Sequence, residues 1–255
     1  LFEAGKAMYM NSMFNRDYIL KYFPKWDREC FENCIDTKLS EHHWQLLKDV
    51  PEVWCALEHG DKLGSAKRIA ELSLRHRNIK GINIDDFKDG NRANDMTPED
   101  LTALRQAIQA INPEIKLSIV TYADDDRLFD LTPYRDAIDL VSRWKWTVDS
   151  DHWNDYEKRI AKVREQVGPR VRIVQGLYLH DFGAGMESRI PLPLDYFKRT
   201  VRKACSCVTN GTLDGIILPQ AGWYSSPAHR EHVEWLKDFL SAKRGDMSQD
   251  RGRKF

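Results

Sequence analysis

Three apolar runs in this chain end abruptly in acids, and each gives way to a helical stretch. Ile79–Ile84 runs into Asp85 and Asp86, Leu117–Tyr122 into Asp124 and Asp125, and Val171–Leu179 into His180 and Asp181. Apolar runs without strict alternation are the pattern of strands buried on both faces. Strands of that kind joined by helices make a parallel sheet, and such sheets gather their chemistry at the C-terminal strand ends. An enzyme acting on a polar small molecule or sugar is therefore the leading expectation.

Four further strands are expected at Lys6–Met13, Glu52–Leu57, Asp139–Trp144 and Leu213–Leu218. Helical periodicity places helices over Asp61–Asn78, Thr97–Ile111, Asp151–Val167, Leu194–Val208 and Pro227–Lys243. Thr97 reads as an N-cap with Pro98 in the first helical position and acids in the first turn. Gly168-Pro169 stops the third helix. The 255 residues suit one barrel of about 250. No Gly-rich phosphate fingerprint follows any strand, which disfavours a doubly wound sheet. The expected fold is α/β, a (β/α)8-type TIM barrel, irregular or incomplete at its N-terminus. An eighth strand would lie before Leu1 or within Cys30–Ile35. Residues 1–243 form one domain in this reading, and residues 244–255 a charged, frayed tail.

Charge narrows the partners. With 39 basic and 39 acidic residues the formal net charge is zero, so nothing draws the chain to nucleic acid or an anionic membrane. No apolar run approaches the roughly 20 residues of a membrane span. Five cysteines without a Cys-x-x-Cys pair are expected as buried, mostly free thiols, and no cofactor is implied. A soluble protein is expected, cytoplasmic or exported with its leader removed. Oligomeric state is open.

Side chains alternate along a strand, so one acid of an adjacent pair shares the polar row. Asp85 follows Asn83 on that row and is the working candidate, while Asp86 caps the next loop or holds a neighbour. Asp124 shares a row with Tyr122, and His180 with Tyr178; Asp181 lies on the other row. Glu58 ends the Glu52–Leu57 run. For each acid the competing role is capping backbone amides in a strand-to-helix turn. Trp144, Trp146, Gln220 and Trp223 fall at or just beyond strands and could flank a sugar ring, with core packing as the competing role for each indole.

Glycosidic hydrolysis needs one protonated carboxyl and one ionised carboxylate on opposite sides of the bond. Strand ends around a barrel place acids about 5–10 Å apart, and crowding keeps one of them protonated. Asp85, Asp181, Asp124 and Glu58 are the catalytic candidates. Asp86, Tyr122, Trp144, Trp146, Tyr178, His180, Gln220 and Trp223 are the candidates for binding substrate. Which acid plays which part is left open.

Through GINIDDF, SIVTYADD, GLYLHDFG with IPLPLDYF, and DGIILPQAGW, the chain resembles bacterial glycoside-hydrolase-like TIM barrels over most of residues 6–240. The resemblance implies a barrel with a carbohydrate substrate. The chitinase-type acid cluster is absent, and the last strand ends Pro219-Gln220 without the carboxylate of the largest glycosidase clan. Acids near the third or fourth and sixth strands are arranged more like the galactosidase type.

Two other readings stand beside this one. Glu58, His59, Asp85, Asp86, His180 and Asp181 are suitable ligands for a metal-dependent isomerase, aldolase or hydrolase. No His-x-His or His-x-x-x-His pair marks such a site, and none is assigned. A noncatalytic sugar-binding barrel would need the aromatics without the acids.

Overall fold

The computed structural model describes residues 7–10, 52–57, 60–87, 96–123, 130–145, 147–183, 188, 190–218 and 226–251. The strands are β1 (Ala7–Met10), β2 (Val53–Ala56), β3 (Ile79–Ile84), β4 (Lys116–Tyr122), β5 (Leu140–Trp144), β6 (Arg172–Gly176), β7 (His180–Asp181), β8 (Ile190–Pro191) and β9 (Gly215–Leu218). The helices are α1 (Lys62–Arg75), α2 (Pro98–Gln109), α3 (Ser150–Asn154), α4 (Tyr156–Val167), α5 (Leu194–Thr209) and α6 (Arg230–Arg251).

All seven expected strands pair in one parallel sheet, ordered β1-β9-β6-β5-β4-β3-β2. That order follows the chain cyclically, without the reversal that defines a doubly wound sheet. Six strands, β2 to β6 and then β9, run in sequence around the sheet, and β1 flanks β9. The winding is that of a TIM-type barrel. The expected eight-stranded closure is not seen among the described residues, where β1 and β2 occupy opposite edges and do not pair.

Local chemistry explains the elements. At α2 the Thr97 hydroxyl accepts the Asp100 N–H at 3.1 Å, and the Asp100 carboxylate accepts the Thr97 N–H at 3.2 Å. This capping box, with Pro98 behind it, starts the helix where the sequence placed it. Asp61 caps α1 by accepting the Gly64 N–H at 2.9 Å. The helix expected over Asp151–Val167 is instead two, broken at Asp155. It ends at Gly168, whose φ of 74° suits a residue without a Cβ. The long strand expected over Val171–Leu179 also divides. Its parallel part stops at Gly176, and His180–Asp181 pairs antiparallel with Ile190–Pro191. α6 continues to Arg251, past the Lys243 where its apolar periodicity ends.

The two faces of the sheet differ. Ile82 pairs with Leu117 and Ile84 with Ile119, which continues through Val141 to Ile173. This row is fully buried against Ala66 and Ile69 of α1, Leu101 and Ile108 of α2, Val163 of α4 and Val201 of α5. Each such side chain contributes roughly 1.5–3 kcal/mol by leaving water. The opposite row carries Asn83, Ser118, Val120, Tyr122, Ser142 and Trp144. It leads to the C-terminal edge, where the candidate chemistry lies.

Candidate functional site

β3 ends at Ile84, and Asp85, Asp86 and Phe87 make the turn that leaves it. Phe87 is buried edge-on against Tyr134, with ring centroids 5.4 Å apart. Its N–H donates to Val120 O at 3.1 Å, so the turn is anchored on β4. Between these anchors Asp86 takes a φ of 48°, the one positive φ at a non-glycine among the described residues. Such a conformation costs of order 1 kcal/mol or more and persists only where its surroundings enforce it.

The turn sends the two carboxylates to different partners. Asp85 Oδ1 accepts the Asp86 N–H at 3.1 Å. Asp86 Oδ1 accepts the Tyr122 hydroxyl at 2.5 Å. Burial pushes the Tyr122 phenol far above its ordinary range, and Tyr178, Asp85, Asp86 and the bond to Asp86 push the same way. Tyr122 therefore stays protonated and donates. Both carboxylates and the Tyr178 phenol lie close enough to act on it.

The belt continues across the sheet. Tyr122 pairs in register with Trp144 of β5, and the Ala123 N–H donates to Trp144 O at 2.8 Å. The Trp144 indole lies over Gly176, where a Cβ would fall 2.0 Å from the ring. Its Nε1 donates to Ser142 Oγ at 3.2 Å, and its ring meets Tyr178 at 4.8 Å. Trp144 is 3% exposed, so it forms the floor under Tyr178 instead of offering a face to a ligand.

From Tyr178 a chain of rings leads inward. Tyr178 meets Phe182 at 4.8 Å and His180 at 6.0 Å. His180 stands 5.7 Å from His229, and His229 6.3 Å from His232, whose Nε2 lies 2.7 Å from Leu192 O. Burial, with His232 beside it, pulls His229 down to about 4. His180 is 1% exposed and meets both Tyr178 and, at 4.4 Å, Phe182. Asp181 Oδ1 accepts the Gly183 N–H at 2.9 Å and so shapes its own loop.

Of the residues singled out in the sequence, Asp85, Asp86, Tyr122, Trp144 and Tyr178 form one belt along the ends of β3 to β6. Glu58, His59, Asp124, Trp146, Gln220 and Trp223 lie outside the described residues. Sequence reasoning missed Gly176, Phe182, His229 and His232. An isolated glycine within a strand pattern is the signal that marks Gly176; Phe182 lies within the GLYLHDFG segment, and no motif marks the two histidines. Among the described residues, no three His, Cys, Asp or Glu side chains converge to hold a metal ion. No helix of the described residues is long and apolar enough to cross a membrane.

No protein-family model matches the chain, and no curated protein does. Among solved structures it is similar to a glucosidase from Croceicoccus marinus, with 14% identity, 65% of this chain covered and a TM-score of 0.45. The chain spans 41% of that glucosidase's length. A putative alpha-L-fucosidase from Bacteroides thetaiotaomicron shares 12% identity over 92% of this chain and 80% of its own, with a TM-score of 0.48. A chain of the tryptophan synthase complex from Pyrococcus furiosus shares 9% identity over 93% of this chain and 97% of its own, with a TM-score of 0.50. At these identities the likeness is a loose one of fold.

Proposed function

We propose that this chain is a carbohydrate-active hydrolase that cleaves a glycosidic bond with strand-end carboxylates, Asp85 foremost. One observation carries the reading: Asp85 and Asp86 flank the protonated Tyr122, next to Tyr178, at the C-terminal edge of the sheet. Acids and phenols gathered at that edge suit a polyhydroxylated substrate.

In this reading Asp85 is the carboxylate that meets the sugar, as nucleophile or as base to a water. Asp86 is spent on Tyr122. The second catalytic carboxyl then comes from another strand end, with Asp124, Asp181 and Glu58 as the candidates. Protonating the leaving oxygen on one side while a carboxylate acts on the other is what bond cleavage requires. Tyr178 rises above the Trp144 floor and supplies a ring edge and a hydroxyl to the bound sugar.

Sugar release from a broad panel of glycosides and oligosaccharides tests this, with wild type and Asp85→Asn assayed with and without chelator. Release that ignores chelator and disappears in Asp85→Asn supports the carboxylate hydrolase. Release abolished by chelator points to a metal enzyme. Binding without release in either protein leaves a sugar-binding module and overturns the proposal.

A further inference from the structure

We infer that Asp86 is a positioning residue that acts through its backbone: its left-handed turn aims the Asp86 N–H at the Asp85 carboxylate, and the Tyr122 hydroxyl holds that turn against its own strain. This rests on the hydrolase reading above and deepens it, by naming what orients the working carboxylate.

Three hydrogen bonds run through the turn. Asp85 Oδ1 accepts the Asp86 N–H at 3.1 Å, Asp86 Oδ1 accepts the Tyr122 hydroxyl at 2.5 Å, and the Phe87 N–H donates to Val120 O at 3.1 Å. Asp86 stands between them with its φ of 48°. In that region Cβ crowds the following carbonyl. Glycine escapes the clash, asparagine and aspartate bear it better than alanine, and a β-branched residue bears it worst. The conformation at Asp86 is therefore uphill and must be held.

Both ends of the turn are fixed. β3 leads in, and Phe87 leads out with its N–H on Val120 and its ring 5.4 Å from Tyr134. Peptide units are planar, so with both ends fixed φ of Asp86 can change only if the plane between Asp85 and Asp86 rotates with it. That rotation carries the Asp86 N–H away from the Asp85 carboxylate. The turn has an aligned state and a relaxed one, and turnover per folded molecule follows the aligned fraction. Tyr122 comes from the neighbouring strand and binds the aligned state through the Asp86 side chain.

Four variants separate backbone from carboxylate: Asp86→Asn, Asp86→Gly, Asp86→Ala and Asp86→Val. Each is assayed for kcat and KM per folded molecule on a glycoside that wild type cleaves, with denaturation midpoints alongside. Asp86→Asn keeps an acceptor for Tyr122 and a residue that bears the turn, so it should lose least. Asp86→Gly gives up the Tyr122 bond and the strain together, whereas Asp86→Ala gives up the bond and keeps the strain. The expected kcat is about tenfold higher in Asp86→Gly than in Asp86→Ala, although alanine retains more of the side chain. Asp86→Val should fall further, with KM little changed across the series. Should Asp86→Val fail to fold, the contrast of glycine with alanine decides. Asp86→Gly no faster than Asp86→Ala, with kcat lost in both, would put the carboxylate rather than the turn at the reaction and overturn the inference. Midpoints that fall while kcat stays at the wild-type value would make the strain purely structural and overturn it too; either result leaves the hydrolase standing. Release of no sugar by wild type overturns both.

Discussion

Arg172, at the start of β6, donates to Glu52 ahead of β2 at 3.4 Å, and its guanidinium sits 5.5 Å from the centre of the Trp54 indole. β2 and β6 are separated in the sheet by β3, β4 and β5. Four strand intervals of about 4.8 Å would hold them roughly 19 Å apart in a flat sheet. The contact therefore requires the sheet to curl until its second and sixth parallel strands face each other across an interior. Trp54, whose Nε1 donates to Glu52 at 2.7 Å, lies over Gly81 to make room. Arg172→Ala should cost about 1 kcal/mol, because both charged groups are nearly a third exposed and water screens them. Urea denaturation of wild type, Arg172→Ala, Glu52→Gln and the double variant measures this. An additive double mutant would show that the pair does not couple across the interior.

Gly176 should tolerate no side chain. A Cβ there would fall 2.0 Å from Trp144, whose ring is fixed by Ser142 below and Tyr178 above. Gly176→Ala must displace the indole or the strand, an overpacking cost of about 1–3 kcal/mol. Because Trp144 supports Tyr178, ligand affinity should fall along with stability. Denaturant midpoints and tryptophan emission read the two effects; an unchanged midpoint with unchanged emission would refute the floor.

Stability should decline as the pH drops from about 6.5 toward 4. Burial holds His152 at about 4, with Arg143, Arg159 and Lys145 adding to the effect, and burial does the same to His229. Both folded values lie below the unfolded histidine value of about 6.5. Between the two pH values the unfolded chain binds more protons, so stability is complete above 6.5 and is lost on acidification. Each histidine contributes a slope of up to about 1.4 kcal/mol per pH unit. Denaturation at several pH values for wild type, His152→Phe and His229→Gln checks this. A slope unaltered in both variants would place the acid sensitivity elsewhere.

The sheet was legible because it rests on apolar runs that nothing else in the chain imitates. Ile79–Ile84 matches β3 at both ends. The helix break at Asp155 was not legible, since Trp153 and Tyr156 keep helical spacing across it. In the fold their rings stack at 4.9 Å, and Tyr156 donates to buried Gln175 at 2.7 Å, a tertiary demand that local pattern does not carry. At the site, row parity singled out Asp85 and left Asp86 to cap the next loop or hold a neighbour. It did not name that neighbour, because alternation ends where the strand ends and Asp86 turns left-handed. His229 and His232 arrive from the far end of the chain, and only packing joins them to His180.

Acids at the two ends of the strands should separate under mutation. Asp139, ahead of β5, accepts the Leu117 N–H at 2.9 Å and Arg105 at 2.7 and 3.1 Å, with Arg170 at 3.1 Å. Burial alone would raise its carboxyl, but the Arg105 and Leu117 hydrogen bonds and the two arginine charges hold it below the ordinary range. Asp214, ahead of β9, repeats the device: it accepts the Ile173 N–H and Arg164, each at 2.7 Å. Each acid ties a strand start to its neighbour and to an arginine. Asp139 is 14% exposed, so Asp139→Ala strands a guanidinium and a strand N–H and should cost about 2–4 kcal/mol. Asp214→Ala should cost less, about 1–2 kcal/mol, since it is more open to water. Neither should change the turnover of the molecules that remain folded, whereas Asp85→Asn should remove turnover and spare the midpoint. Denaturation midpoints and activity per folded molecule, measured on all three variants, decide the matter. A midpoint lost in Asp85→Asn and kept in Asp139→Ala would reverse the roles argued for the two edges of the sheet.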